Sequence, residues 1–365
     1  MKFSIQREAL LVPISQVVGV VERRQTLPVL ANFLLDVEEN RLKITGSDME
    51  VEMVGHASAE VAQTGAITVP ARKLVDICKA LPESSKINVQ LNGEKLALHA
   101  GRSRFTLATL PATEFPSSET SAETEQFSVS EERLRWLIEK SSVAMANQDV
   151  RHYLNGLYFE FKEGQLRAVA TDGHRLALAE IDAPVQGEVR SLILPRKGVV
   201  ELSRMLSTDD EDVSLSVGRN YLRVQRKNLI MTSKLIDGRF PDYEAVIPMT
   251  QDKGMTLNRQ DFIHSLQRAA ILANEKYRGV RLESGDGSMR IIAHNPQQEE
   301  ATEEIEAQHN YDNLVVGFNV NYLLDALQSI DGEQVRLALK GADSSCLVTG
   351  VDTEQVRQVV MPLKL

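Results

Sequence analysis

Apolar residues recur along this chain in two periods, and the alternation between them occurs three times. FSIQREAL from Phe3, FSVSEERL from Phe127 and MTLNRQDF from Met255 each read as a short alternating strand, a polar cap and an amphipathic helix. Phe127 lies 124 positions after Phe3, and Met255 lies 128 after Phe127. A second helix follows in each copy, in VPARKLVDICKAL, LPRKGVVELSRML and FNVNYLLDALQSI. Its apolar positions fall in register as Leu74/Val199/Leu323, Ile77/Leu202/Ala326, Cys78/Ser203/Leu327 and Leu81/Leu206/Ile330. Offsets of 3, 4 and 7 mark one buried helix face. Runs of period two surround the helices, such as NFLLDVE, RLKITGS and KLALHA in copy one and NGLYFEF, QLRAVATD and YLRVQR in copy two.

The order within a copy is β-α-β-β-β twice. Helices on one side of mostly antiparallel strands make an α+β layered domain. A spacing of about 125 residues means three similar domains, since solenoid repeats run only to about 50. The helices are expected near 7–24, 70–82, 130–146, 195–206, 258–273 and 318–330, with Pro13 kinking the first. Domains are expected at 1–122, 123–250 and 251–365. Their limits fall in the Pro-, Ser-, Thr- and Glu-rich stretch 111–126 and the turn-rich stretch 237–254. Both stretches contain Phe-Pro after a strand, at Phe115-Pro116 and Phe240-Pro241.

Composition leaves the class ordinary: 365 residues, 42% apolar and 25% charged. No apolar run nears the ~18 residues of a membrane span, and the first ten residues read as a strand of the mature fold, not a leader. Cys78 and Cys346 have neither metal-site nor disulfide-framework spacing, which fits a reducing cytoplasm. The net charge of −10 argues against a nucleic-acid ligand until its distribution is examined. The six helical stretches are basic in sum, so the rest of the chain is more acidic than the whole. Clustering on one surface is what a polyanion responds to.

Chemistry-bearing motifs are sparse. Phosphate-loop, zinc-protease, Cys-x-x-Cys and nucleophile-elbow patterns are absent, no catalytic residue is assigned, and neither a metal nor a cofactor is expected. GDGSM at 285–289 reads as a hairpin turn. Asp172 and His174 could form half of a general-base pair, but Asp172-Gly173 is a turn signal between two strands. Copy one carries Asp48 at the equivalent turn, which points to a side chain bonding its own backbone. Arg72-Lys73 and Arg196-Lys197 both open a helix, where the macrodipole opposes cations. A nearby phosphate is the expected reason.

Ten segments carry a resemblance: TLPVL (26–30), VPARK (69–73), GRSRF (101–105), QDVRHYLNG (148–156), VATDGHRLA (169–177), LPRKGVVEL (194–202), SKLIDGRFPDY (233–243), NEKYRGVRL (274–282), NPQQEEA (295–301) and VVMPLKL (359–365). In order and at the expected separations, they make the whole chain resemble the β-subunit family of bacterial DNA polymerase III, the sliding clamps. That resemblance implies a DNA clamp fold of three similar domains. Two chains would close head to tail into a ring, helices lining the hole and sheets outside. It implies a non-catalytic processivity factor that slides on duplex DNA without reading sequence. Its other partners would be the polymerase III catalytic subunit, the clamp loader, and other polymerases and repair proteins carrying clamp-binding peptides, with no membrane involved.

Mapped onto this sequence, the family's DNA contacts are Arg24, Arg72, Lys73, Gln148, Arg196 and Lys197. The partner groove is Leu154, Thr171, Gly173, His174, Arg175, Leu176, Pro241, Val246, Tyr322, Ser345, Val359, Met361, Pro362 and Leu363. The dimer contact joins Arg102, Arg104, Phe105 and Leu107 to Ile271, Leu272, Glu299, Glu300, Glu303 and Glu304. Glu244-Ala245 stands where close relatives carry a basic residue, which weakens any preference for acidic flanks. Two rivals remain from other classes. One is a hydrolase using Asp172 and His174, the other a monomeric nucleic-acid-binding module. Retention on circular but not linear DNA separates all three.

Overall fold

The computed structural model describes residues 1–22, 27–116, 125–185, 190–208, 211–248 and 253–364. Among them six α-helices stand where the 3.6 period puts them: α1 Arg7–Val17, α2 Ala71–Ala80, α3 Glu131–Ser141, α4 Arg196–Met205, α5 Arg259–Ala269 and α6 Val320–Ser329. The first helix of each copy runs on into one 3-10 turn, at Val18–Val20, Ser142–Ala144 and Ala270–Leu272. The in-register positions are buried as the pattern requires, except that Ile77 and Ser203 are half-buried. Asn258 caps α5, its side chain accepting from the Asp261 amide at 3.1 Å. Gln6, at the same place in copy one, makes no cap bond.

Pro13 does not end α1, which continues unbroken through it. The ring is buried against the sheet, where Gly55 makes room for it and Gly46 makes room for Val17 on the next turn. A Cβ at Gly55 would lie 2.9 Å from Pro13 Cβ, and one at Gly46 2.8 Å from Val17 Cγ1. The helix therefore lies closer to these strands than any larger residue would allow.

The chain packs as two compact units. One is Met1–Glu132 with Lys197–Leu235, and the other is Arg133–Arg196 with Ile236–Leu365. They cut across the repeat because sheets run from copy to copy. In the first unit an eight-stranded sheet is ordered Glu125–Ser130, Asp212–Val217, Tyr221–Arg226, Leu229–Lys234, Val51–Ser58, Arg41–Ser47, Asn32–Glu38 and Gly65–Pro70. Its joint is the antiparallel pair Leu229–Lys234 and Val51–Ser58, from Leu229 opposite Gly55 to Ser233 opposite Val51. A five-stranded sheet, ordered Glu60–Gln63, Lys2–Gln6, Lys86–Asn92, Lys95–Ala100 and Ser103–Ala108, completes that unit.

The second unit repeats the joint. Its nine-stranded sheet passes from Arg175–Asp182 of copy two to Val356–Val360 of copy three, with Leu176 opposite Val359. Its four-stranded sheet is ordered Glu300–Glu306, Ser288–His294, Gly279–Ser284 and Val315–Asn319. GDGSM is the expected hairpin turn, with the Gly285 amide donating to Ser288 O at 2.8 Å. The final strand ends at Val360. Met361 then donates to His174 O and Leu363 to Gly317 O. Pro362 lacks the amide that would continue the ladder.

Candidate functional site

In the second unit, the turn after Gln165–Thr171, the Phe240-Pro241 segment and the end of Val356–Val360 enclose a cleft of about 200 Å³. Nine residues of the expected groove line it: Leu154, Thr171, Gly173, Arg175, Leu176, Pro241, Val246, Val359 and Met361. Leu154, Leu176 and Val359 are buried as its floor, while Val246 is 36% exposed at the rim. Arg151, Tyr153 and Tyr243 also line it and were missed, although each lies inside a quoted segment. Tyr243 follows Pro241 by two positions, and an aromatic that close to a boundary Phe-Pro was the available signal.

The other five expected residues surround the cleft instead of lining it. His174 is exposed and lends its backbone carbonyl to Met361. Tyr322 lies under the Arg175 guanidinium at 4.5 Å, and Ser345 Oγ is 3.2 Å from Met361 Sδ. Pro362 and Leu363 carry the chain away toward Gly317. Beside the cleft, Phe240 stacks on Tyr158 at 4.7 Å, and the cleft-lining Tyr243 donates to Glu160 at 2.6 Å. Burial and the bond to Glu160 push the Tyr243 phenol up. Glu244 is drawn aside by Lys162 at 3.5 Å and Arg167 at 3.0 Å, and Lys162 first, then Arg167, hold its carboxyl below the usual range.

Asp172 has a backbone role. Its Oδ1 accepts from the His174 and Arg175 amides at 2.9 and 3.1 Å, and its Oδ2 pairs with Arg175 Nε at 3.1 Å. Asp48 repeats this turn, accepting from Glu50 and Val51 at 2.9 and 2.7 Å. No bond joins the Asp172 carboxylate to the His174 ring, so the hydrolase reading loses its base. Among the described residues no cluster of His, Cys, Asp and Glu could hold a metal ion. No helix among them is long and apolar enough to cross a membrane.

The helix-start cations have an internal reason that the sequence reading missed. Arg72 donates to Val21 O at 2.8 Å, and Arg196 donates to Met145 O at 2.8 Å and Ala146 O at 3.2 Å. Each guanidinium thus ties off the carbonyls leaving the preceding helix. Their register is also shifted by one. Pro70 pairs with Asn32 and Pro195 with Gly156, which sets Arg72 level with Lys197. Lys73 and Gln148 are exposed, and Arg24 lies outside the described residues.

Both dimer candidates are edge strands. Ser103–Ala108 ends the five-stranded sheet, with Arg102 and Arg104 exposed and Phe105 half-buried. Leu107 is only 7% exposed and belongs to its own core. Glu300–Glu306 ends the four-stranded sheet; Glu299, Glu300 and Glu304 are exposed, and Glu303 pairs with Arg268. Nearby Ile271 is 78% exposed and Leu272 half-buried.

Family models for the DNA polymerase III beta subunit match in sequence along the chain: the N-terminal domain at 1–119, the central domain at 128–242 and the C-terminal domain at 244–364. The chain belongs to the DNA polymerase III β-subunit family. The beta sliding clamp of Pseudomonas aeruginosa is 51% identical over 367 residues, and that of Escherichia coli K12 44% over 366, each pair covered completely. The crystal structure of the Pseudomonas aeruginosa β subunit matches with a TM-score of 0.98 at 50% identity over all of both chains. Another from that organism, bound to griselimycin, matches at 0.97. As a β subunit, the chain has the three-domain clamp fold and acts as a processivity clamp for DNA polymerase III, without catalysis of its own.

Proposed function

We propose that two copies of this β subunit close head to tail into a ring around duplex DNA in the cytoplasm, with the domains limited at 1–122, 123–250 and 251–365. One observation carries the reading. At both joints within the chain, the last strand of one copy pairs with the strand after the turn aspartate of the copy before it. Ser103–Ala108 and Glu300–Glu306 hold those two positions in copies one and three, and each stands at a sheet edge. A third joint of the same kind, made between chains, uses both. Arg102 and Arg104 then face Glu299, Glu300, Glu303 and Glu304, and Phe105 covers Ile271 and Leu272. Two heterologous contacts close a ring instead of growing a filament.

Helices α1 to α6 face the hole in this reading. Arg24, Arg72, Lys73, Gln148, Arg196 and Lys197 supply weak, sequence-blind phosphate contacts that permit sliding. The cleft takes a short extended peptide from the polymerase catalytic subunit, the clamp loader or other replication and repair proteins. Its apolar floor receives the anchors, and Arg151 and Arg175 hold peptide polar groups. Met361 adapts to different side chains. The test combines sedimentation with retention on DNA. The protein should sediment as a dimer and, once loaded, stay on circular duplex and leave it after linearisation. A monomer, or equal retention on both forms, would overturn the reading.

A further inference from the structure

The ammonium of Lys197 is already engaged. Its Nζ lies 2.6 Å from Glu22 Oε1 and also pairs with Asp48 Oδ2. Asp48 is nearly buried, its side chain 5% exposed, and its other oxygen is taken by the Glu50 and Val51 amides. One turn along α4, Glu201 is buried against Gly19 and paired with Arg204 at 2.7 Å. Burial pushes the Glu201 carboxyl up, while the charges of Arg204 and then Lys197 act against that. Lys197 itself is pulled down by burial, yet Asp48 and Glu22 outweigh it and hold the ammonium above the ordinary lysine value.

The second joint has the same plan with the cation supplied from the other side. There the turn aspartate is Asp172, the cation is Arg175, and the helix carboxylate is Asp325, which stands level with Glu201 in the repeat. Each joint is therefore closed by a turn aspartate and a cation set beside an acid of the next helix. At the first joint a further carboxylate, Glu22, reaches the cation from outside, 54% exposed.

We propose that Lys197 is a restrained phosphate contact, whose contribution to DNA binding is set by competition between Glu22 and the DNA backbone. This rests on the helices facing duplex DNA, and it adds what limits one contact on that surface. Asp48 keeps Lys197 fixed at the joint whether DNA is present or not. Glu22 is the exchangeable partner, because it is exposed and its pairing is screened by salt. Restraint of this kind suits a sliding ring, since a fully free lysine would hold each phosphate longer.

The experiment measures binding of the intact ring to a fluorescently labelled duplex over a salt series. Glu22→Gln should bind about fivefold more tightly at low ionic strength, with the slope of log K against log salt steeper by about 0.9, one released counterion. Adding Lys197→Met should remove both changes. That combination also carries Asp48→Asn, so that no buried carboxylate is left unpaired and the ring stays folded. Unchanged binding in Glu22→Gln would overturn the proposal. So would a gain that survives Lys197→Met, because it would then come from the overall field and not from a released lysine. A wild-type slope near zero would instead remove the DNA-facing reading, and the restraint with it.

Discussion

Gly173 holds φ at +89° in the turn beside the cleft, and a Cβ there would meet the Arg151 guanidinium at 3.2 Å. Gly173→Ala should cost about 1–2 kcal/mol in urea denaturation and weaken peptide binding by displacing Arg151. A variant as stable as the parent would mean that the turn relaxes freely. Arg151 grips Asp149 through two bonds, of 3.0 and 2.9 Å, and these, with the Arg151 amide, bring the Asp149 carboxyl down to about 2. A depressed carboxylate contributes stability above its unfolded pKa and loses it as pH falls through the folded value. The grip should therefore be complete above about pH 4 and fail only near pH 2. A carboxyl carbon titration of Asp149 with its midpoint near 4 would contradict this. At this scale the turn aspartates were legible, because a side-chain acceptor two or three residues before an amide is a local matter. Arg151, Tyr153 and Tyr243 were not, because which wall each faces depends on strands far away in sequence.

The guanidinium ties make a prediction for elements. Arg72→Met frees the Val21 carbonyl and should destabilise the first unit by about 1 kcal/mol, without changing the positions of α1 or α2. Thermal unfolding measures the first effect and amide protection the second; no loss of stability would show that water replaces the tie. At the other end of the chain, removing residues 361–365 takes Met361 from the cleft wall and the Leu363 amide from Gly317. The strand Val356–Val360 stays paired on both sides, so the truncated chain should fold and dimerise while peptide affinity falls more than tenfold. Affinity kept within a few-fold would move the groove elsewhere. Helix starts were legible within a residue or so from the apolar faces and caps, but the first helix of each copy ends several residues early, in a 3-10 turn. The reach of Arg72 and Arg196 was hidden, because a cation at a helix start reads the same whether or not it also ties off a carbonyl.

For the whole molecule, the edge strands and the exposed Ile271 bear on assembly. Ile271→Ala with Leu272→Ala should give a folded monomer by sedimentation with native circular dichroism. An intact dimer would place the interface elsewhere. Charge removal at Arg24 and Lys197 together, with Asp48→Asn so that no buried carboxylate is left unpaired, should reduce DNA retention and its salt dependence. Unaltered retention at every salt concentration would withdraw both residues from the DNA surface.

By itself, the sequence determined the threefold repeat, the helix faces, the turn aspartates and the resemblance along the chain, because periodicity and turn chemistry are local properties. Only the tertiary structure decided that sheets continue from one copy into the next, with Leu229–Lys234 on Val51–Ser58 and Val356–Val360 on Arg175–Asp182. It also assigned Lys197 to Asp48 and Glu22, and Leu107 to its own core. Strand pairing and ion pairing join residues more than a hundred positions apart, and the alternation within a strand carries no mark of the neighbour it will meet.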